Sequence, residues 1–223
     1  MNQIVYIILV LCFKGWLLTG CNQIIDKQPP TLSNTPDILP GIIQEANEKI
    51  QKRWYYSLEE AMQKPDSVKY LSLREQGFEV FPKEILQLQN LEELDISMNL
   101  FLNLPDSIGK LKELRELSCS YGYLENLPVS IGNLENLERL WLLDNNIKEL
   151  PIGFQKLIKL KSLNLALNPM KTLPKELFKL VNLEELSFGA PTPDIDLVFT
   201  KTEREEMQKH LPNCYIDFGN SEK

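Results

Sequence analysis

The sequence predicts an α/β repeat solenoid. Short coils stack with a parallel β-sheet on the concave side and an extended or 3-10 return on the convex side, between a helical N-terminal cap and a helix-strand C-terminal cap. Three observations predict it. From Val68 the chain repeats every 23 residues without a gap. A proline recurs at the fifteenth position of each unit, at Pro82, Pro105, Pro128, Pro151 and Pro174, and forbids a continuous helix through the second half of the coil. The fourth and sixth positions are apolar with polar neighbours, the period-two signature of a short strand with one buried face.

In chain order the first element is an apolar run at residues 4–13, which Lys14 interrupts before Trp16, Leu17 and Leu18 resume it. As a helix the run rises about 15 Å, half of a hydrocarbon core that takes about 20 residues to cross. That is the length of an export signal. It is followed by Leu18-Thr19-Gly20-Cys21, which resembles the lipobox of bacterial lipoproteins. The resemblance implies that residues 1–20 are a lipoprotein signal peptide and that Cys21 is the lipidation site. Its thiol would carry diacylglycerol and its freed amine an acyl chain such as palmitate, enough for lasting anchorage. The implied location is the bacterial cell envelope, in the outer membrane if the cell is Gram-negative. Met1-Asn2-Gln3 departs from the pattern because it carries no Lys or Arg. The alternative is a cytosolic adaptor that retains residues 1–20.

Residues 21–44 include Pro29, Pro30, Thr31, Ser33, Asn34, Thr35, Pro36 and Pro40. Such a stretch buries too little to offset its ordering entropy and is expected to be a flexible tether. Residues 45–67 are expected to form the N-terminal cap. Ser57-Leu58-Glu59-Glu60 has capping-box spacing, Pro65 closes the helix, and Leu58, Ala61 and Met62 fall over the first coil.

The repeats occupy residues 68–196, five full and one degenerate. The second unit shows the template: Leu91, Leu94, Ile96, Asn99, Phe101, Leu104, Pro105, Ile108 and Leu111. Steps of 23 reproduce the set around Leu117, Leu140 and Leu163, and a step backward reproduces it around Leu71. Leu183, Leu186 and Phe188 open the sixth unit. This register, with Leu104-Pro105-Asp106-Ser107-Ile108-Gly109-Lys110-Leu111 as its second half, resembles the 23-residue form of the leucine-rich repeat family over residues 68–188. The resemblance implies a horseshoe whose side chains at strand positions 3, 5, 7 and 8 point outward across the concave sheet.

Stacking is obligatory, because one coil leaves its leucines half open until a neighbour covers them. Asn99, Asn145 and Asn168, at position 9, are expected to face inward and satisfy backbone groups of their own and adjacent coils. Gln76 is expected to substitute in the first coil, whereas Gly122 leaves the third with water or a distortion. Residues 197–223 are the expected C-terminal cap: a helix beginning at Thr202-Glu203-Arg204-Glu205 and ending near Pro212, then an edge strand in which Cys214, Ile216 and Phe218 alternate.

The outward rows gather Met98, Tyr121, Tyr123, Trp141, Leu143 and Leu167 on the middle coils, with Arg139 and Asp144 beside them. A Trp and two Tyr rimmed by charge have the composition of a protein-binding hot spot. These eight are the candidate partner-binding residues, with Trp141 as the anchor, and the expected partner is a protein or peptide.

Other functions find little support. Lys+Arg of 24 against Asp+Glu of 31 gives a net charge of -7, the wrong sign for nucleic acid or for an electrostatic hold on anionic lipid. Four dispersed cysteines and one histidine, His210, form neither a disulfide framework nor a metal site. Cys119 falls on a leucine row, and Cys214 is too far along the stack to bridge it. Asp194-Ile195-Asp196 resembles the two-carboxylate motif of some sugar transferases, but without a nucleotide fold it reads as a loop. The expectation is a non-enzymatic monomer without cofactor, metal or catalytic residues, and a purely structural envelope role is the remaining alternative.

Overall fold

The 23-residue period becomes a step of one strand. The computed structural model describes residues 52–189 and 199–219. The leader, Cys21, the tether and Asp194-Ile195-Asp196 lie outside the described residues. Eight strands follow in sequence order in one parallel sheet: β1 (Trp54–Tyr55), β2 (Tyr70–Ser72), β3 (Glu93–Asp95), β4 (Glu116–Ser118), β5 (Arg139–Trp141), β6 (Ser162–Asn164), β7 (Glu185–Ser187) and β8 (Tyr215–Asp217). From β2 to β7 the register holds the repeat, with Leu71, Leu94, Leu117, Leu140, Leu163 and Leu186 facing one another in turn. All six are buried and form one interior column.

The proline of each unit ends the extended segment and starts the return. Pro82, Pro105, Pro128, Pro151 and Pro174 have φ of -66°, -73°, -68°, -70° and -76°. Each precedes a 3-10 turn: Lys83–Gln87, Asp106–Lys110, Val129–Asn133, Ile152–Lys156 and Lys175–Lys179. The fixed proline ring suits the position before a helical turn, where no N–H is required. In the middle coils the returns approach backbone to backbone. A Cβ on Gly132 would lie 1.9 Å from the carbonyl oxygen of Gly153, and one on Gly153 2.0 Å from that of Val129.

A second column runs at position 9. The amide nitrogen of Asn99 donates to the carbonyls of Ile96 in its own coil and Leu73 in the preceding one, at 2.9 Å each, while its oxygen accepts the Phe78 N–H at 3.0 Å. Asn145 does the same with Leu142, Cys119 and Leu124, and Asn168 with Leu165, Leu142 and Ile147. Three buried backbone groups per asparagine are satisfied in this way, which ties coil to coil. Gln76 does not substitute. It is exposed and donates to the Arg74 carbonyl at 3.2 Å, a contact within its own turn that ties no neighbouring coil. At Gly122 the main chain makes an additional contact, its N–H donating to the Asp144 carbonyl at 3.0 Å.

Just before this column each of the five full coils turns left-handed. Glu75, Met98, Tyr121, Asp144 and Leu167, all at position 8, have φ between 56° and 58°. Non-glycine residues adopt this region at a cost of order 1 kcal/mol or more, which the surrounding ladder must offset.

The caps depart from the sequence expectation in three details. Strand β1 is an extra edge strand that precedes the first repeat. The helix α1 (Leu58–Met62) is capped by Ser57, whose hydroxyl accepts the Glu60 N–H at 3.0 Å, but the Glu60 carboxylate pairs with Arg53, so the reciprocal half of the capping box is absent. The helix α2 (Lys201–His210) starts two residues earlier than expected: Thr200 is the N-cap and Glu203 closes a full capping box. Phe188, Phe199 and Phe218 then pack edge-to-face and stacked over the last coil. Cys119 and Cys214 are both buried and unbridged. Burial pushes the Cys119 thiol far above its usual range and the Cys214 thiol up to about 11, so neither is a ready nucleophile.

Candidate binding face

The strands present positions 3 and 5 of each coil to the open side of the sheet. Position 3 reads Tyr70, Glu93, Glu116, Arg139, Ser162, Glu185 and Tyr215, and position 5 reads Ser72, Asp95, Ser118, Trp141, Asn164, Ser187 and Asp217. Position 7 is mostly closed, contrary to expectation: Arg74 is exposed and Leu143 half-buried, but the other four are not open. Ser97, Ser120, Ala166 and Gly189 are buried at the strand ends, where the chain has already begun its left-handed turn. The Ser97 hydroxyl contacts that of Ser118 at 2.8 Å and accepts the Ser120 N–H.

The expected partner-binding residues divide into two groups. Met98, Tyr121 and Tyr123 lie on the lip of the sheet, together with Leu100 and Leu102, which the sequence reading missed. These five side chains on two adjacent coils are 39% to 52% exposed. This grouping of exposed apolar side chains on neighbouring coils marks a candidate interaction surface. Leu143 and Leu167 continue it half-buried, and Asp144 is exposed beside them.

Trp141 and Arg139 stand on the sheet itself, bound to a residue outside the expected set. Glu116 accepts a hydrogen bond from the Arg139 Nε at 2.6 Å and one from the Trp141 indole N–H at 3.0 Å. Burial alone would lower the Arg139 pKa; its bond to Glu116 and the neighbouring carboxylates outweigh that and raise it. Arg139 is therefore a positioning residue for Glu116, and Glu116 sets the orientation of the indole. The signal was present in the 23-residue offset between Glu116 and Arg139.

Beyond Trp141 the sheet holds a groove of about 290 Å³, lined among others by Trp141, Asn164, Glu185, Ser187, Tyr215 and Asp217. A larger hollow of about 410 Å³ lies beside the sheet near Glu138, Lys161 and Asn182. Two of its charges engage each other: Glu138 accepts from Lys161 at 2.8 Å, as well as from Arg115 at 3.0 Å, and these contacts, Lys161 first, hold its carboxyl below the usual range. Among the described residues no three acidic, Cys or His side chains converge as a metal site, and no helix is long and apolar enough to cross a membrane.

A family profile described as leucine-rich repeat region matches residues 60–141 and 108–198. The chain belongs to the leucine-rich repeat family. No curated protein gives a significant match. Among solved structures, this leucine-rich repeat chain is similar to an internalin of Listeria monocytogenes at 18% identity, covering 69% of this chain and 40% of that one with a TM-score of 0.51. A leucine-rich repeat protein of Leptospira interrogans is 29% identical over 60% of this chain and 46% of its own, with a TM-score of 0.41. The chain thus spans less than half the length of either structure. The internalin likeness supports the open solenoid architecture of the repeat.

Proposed function

We propose that this leucine-rich repeat protein is a non-enzymatic interaction module, held on the bacterial cell envelope through Cys21, that binds a protein or peptide partner across the sheet face and its lip. The observation that carries this reading is the group of exposed apolar side chains from Met98 to Tyr123 on the second and third coils, with Trp141 on the coil that follows and its indole held in place by Glu116. A preordered aromatic anchor beside an apolar patch binds without first losing side-chain freedom. The wider family serves generally as a protein-interaction scaffold.

Crosslinking in the native cell, followed by capture of the full-length protein, tests the reading. Trp141→Ala and the pair Tyr121→Ala with Tyr123→Ala are expected to lose the same crosslinked partner without changing the unfolding temperature. An unchanged crosslink pattern in both would favour a purely structural envelope role. Mass spectrometry of the mature N-terminus tests the anchor. A diacylglycerol-modified Cys21 is expected, and an intact Met1 would identify a cytosolic adaptor instead.

A further inference from the structure

The carboxylates of the sheet face are not treated alike along the stack. Toward the N-terminal end each of two glutamates has its own cation: Glu93 pairs with Lys52 and Glu116 with Arg139. In the groove beyond Trp141 the pattern stops. Glu185 accepts a hydrogen bond from the Ser162 hydroxyl at 3.1 Å, and Asp217 accepts from the Ser187 hydroxyl at 3.2 Å and the Gly219 N–H at 2.9 Å. Among the described residues neither has a basic partner, and no basic side chain lines the groove. The guanidinium of Arg139, on the strand of Trp141, is committed to Glu116.

Geometry adds to charge. Trp141, Asn164, Ser187 and Asp217 face one another on four successive strands, so at about 4.8 Å per strand the groove is about 14 Å long, enough for about four residues of extended peptide. Tyr215 pairs with Glu185 across β7 and β8 and is 73% exposed, which places an aromatic ring beside the carboxylate. Glu185 and Asp217 are diagonal neighbours, about 8 Å apart at the backbone by the strand spacing and rise. A planar guanidinium between them can bond both and stack on the Tyr215 ring, and the aliphatic part of the same segment can lie against Trp141.

We propose that the groove between Trp141 and Tyr215 seats an arginine side chain presented by an extended segment of the partner, with Glu185 and Asp217 as its counter-charges. The proposal rests on the interaction reading above and gives the partner's chemistry at one subsite. Elsewhere on the face the protein itself supplies the cations of Glu93 and Glu116, and the lone Asp95 carboxylate accepts the Ser97 N–H.

The test uses the full-length protein and the blocked peptide Gly-Gly-Arg-Gly-Gly, with the same peptide carrying neutral citrulline in place of arginine. Binding is followed by the NMR signal of the Trp141 indole N–H. The arginine peptide is expected to shift that signal saturably and to bind about tenfold or more tighter than the citrulline peptide, by the strength of a charge-assisted pair. The preference is expected to shrink with added salt. It is expected to vanish in the Glu185→Gln/Asp217→Asn double variant, whose unfolding temperature is measured alongside. Equal binding of the two peptides, no saturable shift, or an arginine preference that survives in the folded double variant would overturn the proposal. The interaction reading is judged separately: a cellular crosslink that depends on Trp141 but not on Glu185 and Asp217 leaves it standing while the arginine subsite falls. A crosslink indifferent to Trp141 and the tyrosine pair removes the interaction reading whatever the peptides do.

Discussion

A methyl group on Gly132 would sit inside the carbonyl of Gly153, at 1.9 Å from its oxygen, and the obstacle is backbone that cannot rotate away. Gly132→Ala must therefore prise two coils apart. It is expected to cost about 3 kcal/mol, the upper range of overpacking, read as a fall in the urea midpoint. Gly77→Ala is the contrasting case, since Gly77 has φ of +68° and no atom within 4 Å of the added Cβ. It is expected to cost only about 1 kcal/mol, from the left-handed backbone alone. If the two variants lost the same stability, backbone contact between the returns would not be what Gly132 provides. The sequence displays the Ile-Gly pairs of the second and third units but gives no reason for Gly153, which falls two positions earlier in its unit. The reason lies in the neighbouring coil, whose backbone crosses at that point. Position 8 is similar: Met98, Tyr121, Asp144 and Leu167 are readable as outward residues, but their shared left-handed turn is not, because no glycine or asparagine marks it.

Among the elements, the repeated strands and their 3-10 returns were legible because period, alternation and proline all agree. The C-terminal edge strand was legible from the alternation of Cys214, Ile216 and Phe218, but the N-terminal strand β1 and the register of both were not. Trp54 pairs with Tyr70, sixteen residues on, and Glu185 with Tyr215, thirty residues on, so neither follows the 23-residue step. The start of α2 was misread by two residues, although Thr200 and Glu203 have the spacing of a capping box. That box makes the cap pH-sensitive. The Thr200 hydroxyl and N–H bond the Glu203 carboxylate and lower its pKa from 4.5. A lowered folded pKa means that the stabilisation is fully present above the unfolded value and is lost as pH falls through the folded one. Amide protection in α2 is expected to drop as the pH is taken below 4.5, and Glu203→Gln is expected to remove most of that dependence. Thr200→Ala is expected to weaken the helix by about 1 kcal/mol at neutral pH. Hydrogen exchange across α2, measured at several pH values, checks all three; an identical pH profile in wild type and Glu203→Gln would show that another group governs the cap.

At the scale of the whole molecule the groove proposed to seat an arginine lies where repeat and cap meet. Trp141 was legible in the sequence because a tryptophan at an outward position of a repeat has no structural reason to be there. Glu185 lies on the repeat register, but the groove it helps line was hidden, because Tyr215 and Asp217 reach the sheet through the off-period strand β8. The same strand protects the stack. Without it β7 would present an open row of backbone donors and acceptors, and Leu186 and Phe188 would lose the cover of Phe199, Met207, Leu211 and Phe218. Deleting residues 190–223 is therefore expected to do more than loosen one end. Each coil's burial depends on its neighbour, so the exposed sixth coil frays and offers a flat, apolar strand edge to another copy. Size-exclusion chromatography is expected to show larger assemblies than the full chain forms at the same concentration, together with a lower unfolding temperature. A deletion variant that forms no larger assemblies and has an unchanged unfolding temperature would mean that the sixth coil is self-sufficient. In that case the aromatic cluster of the cap serves the groove rather than the fold.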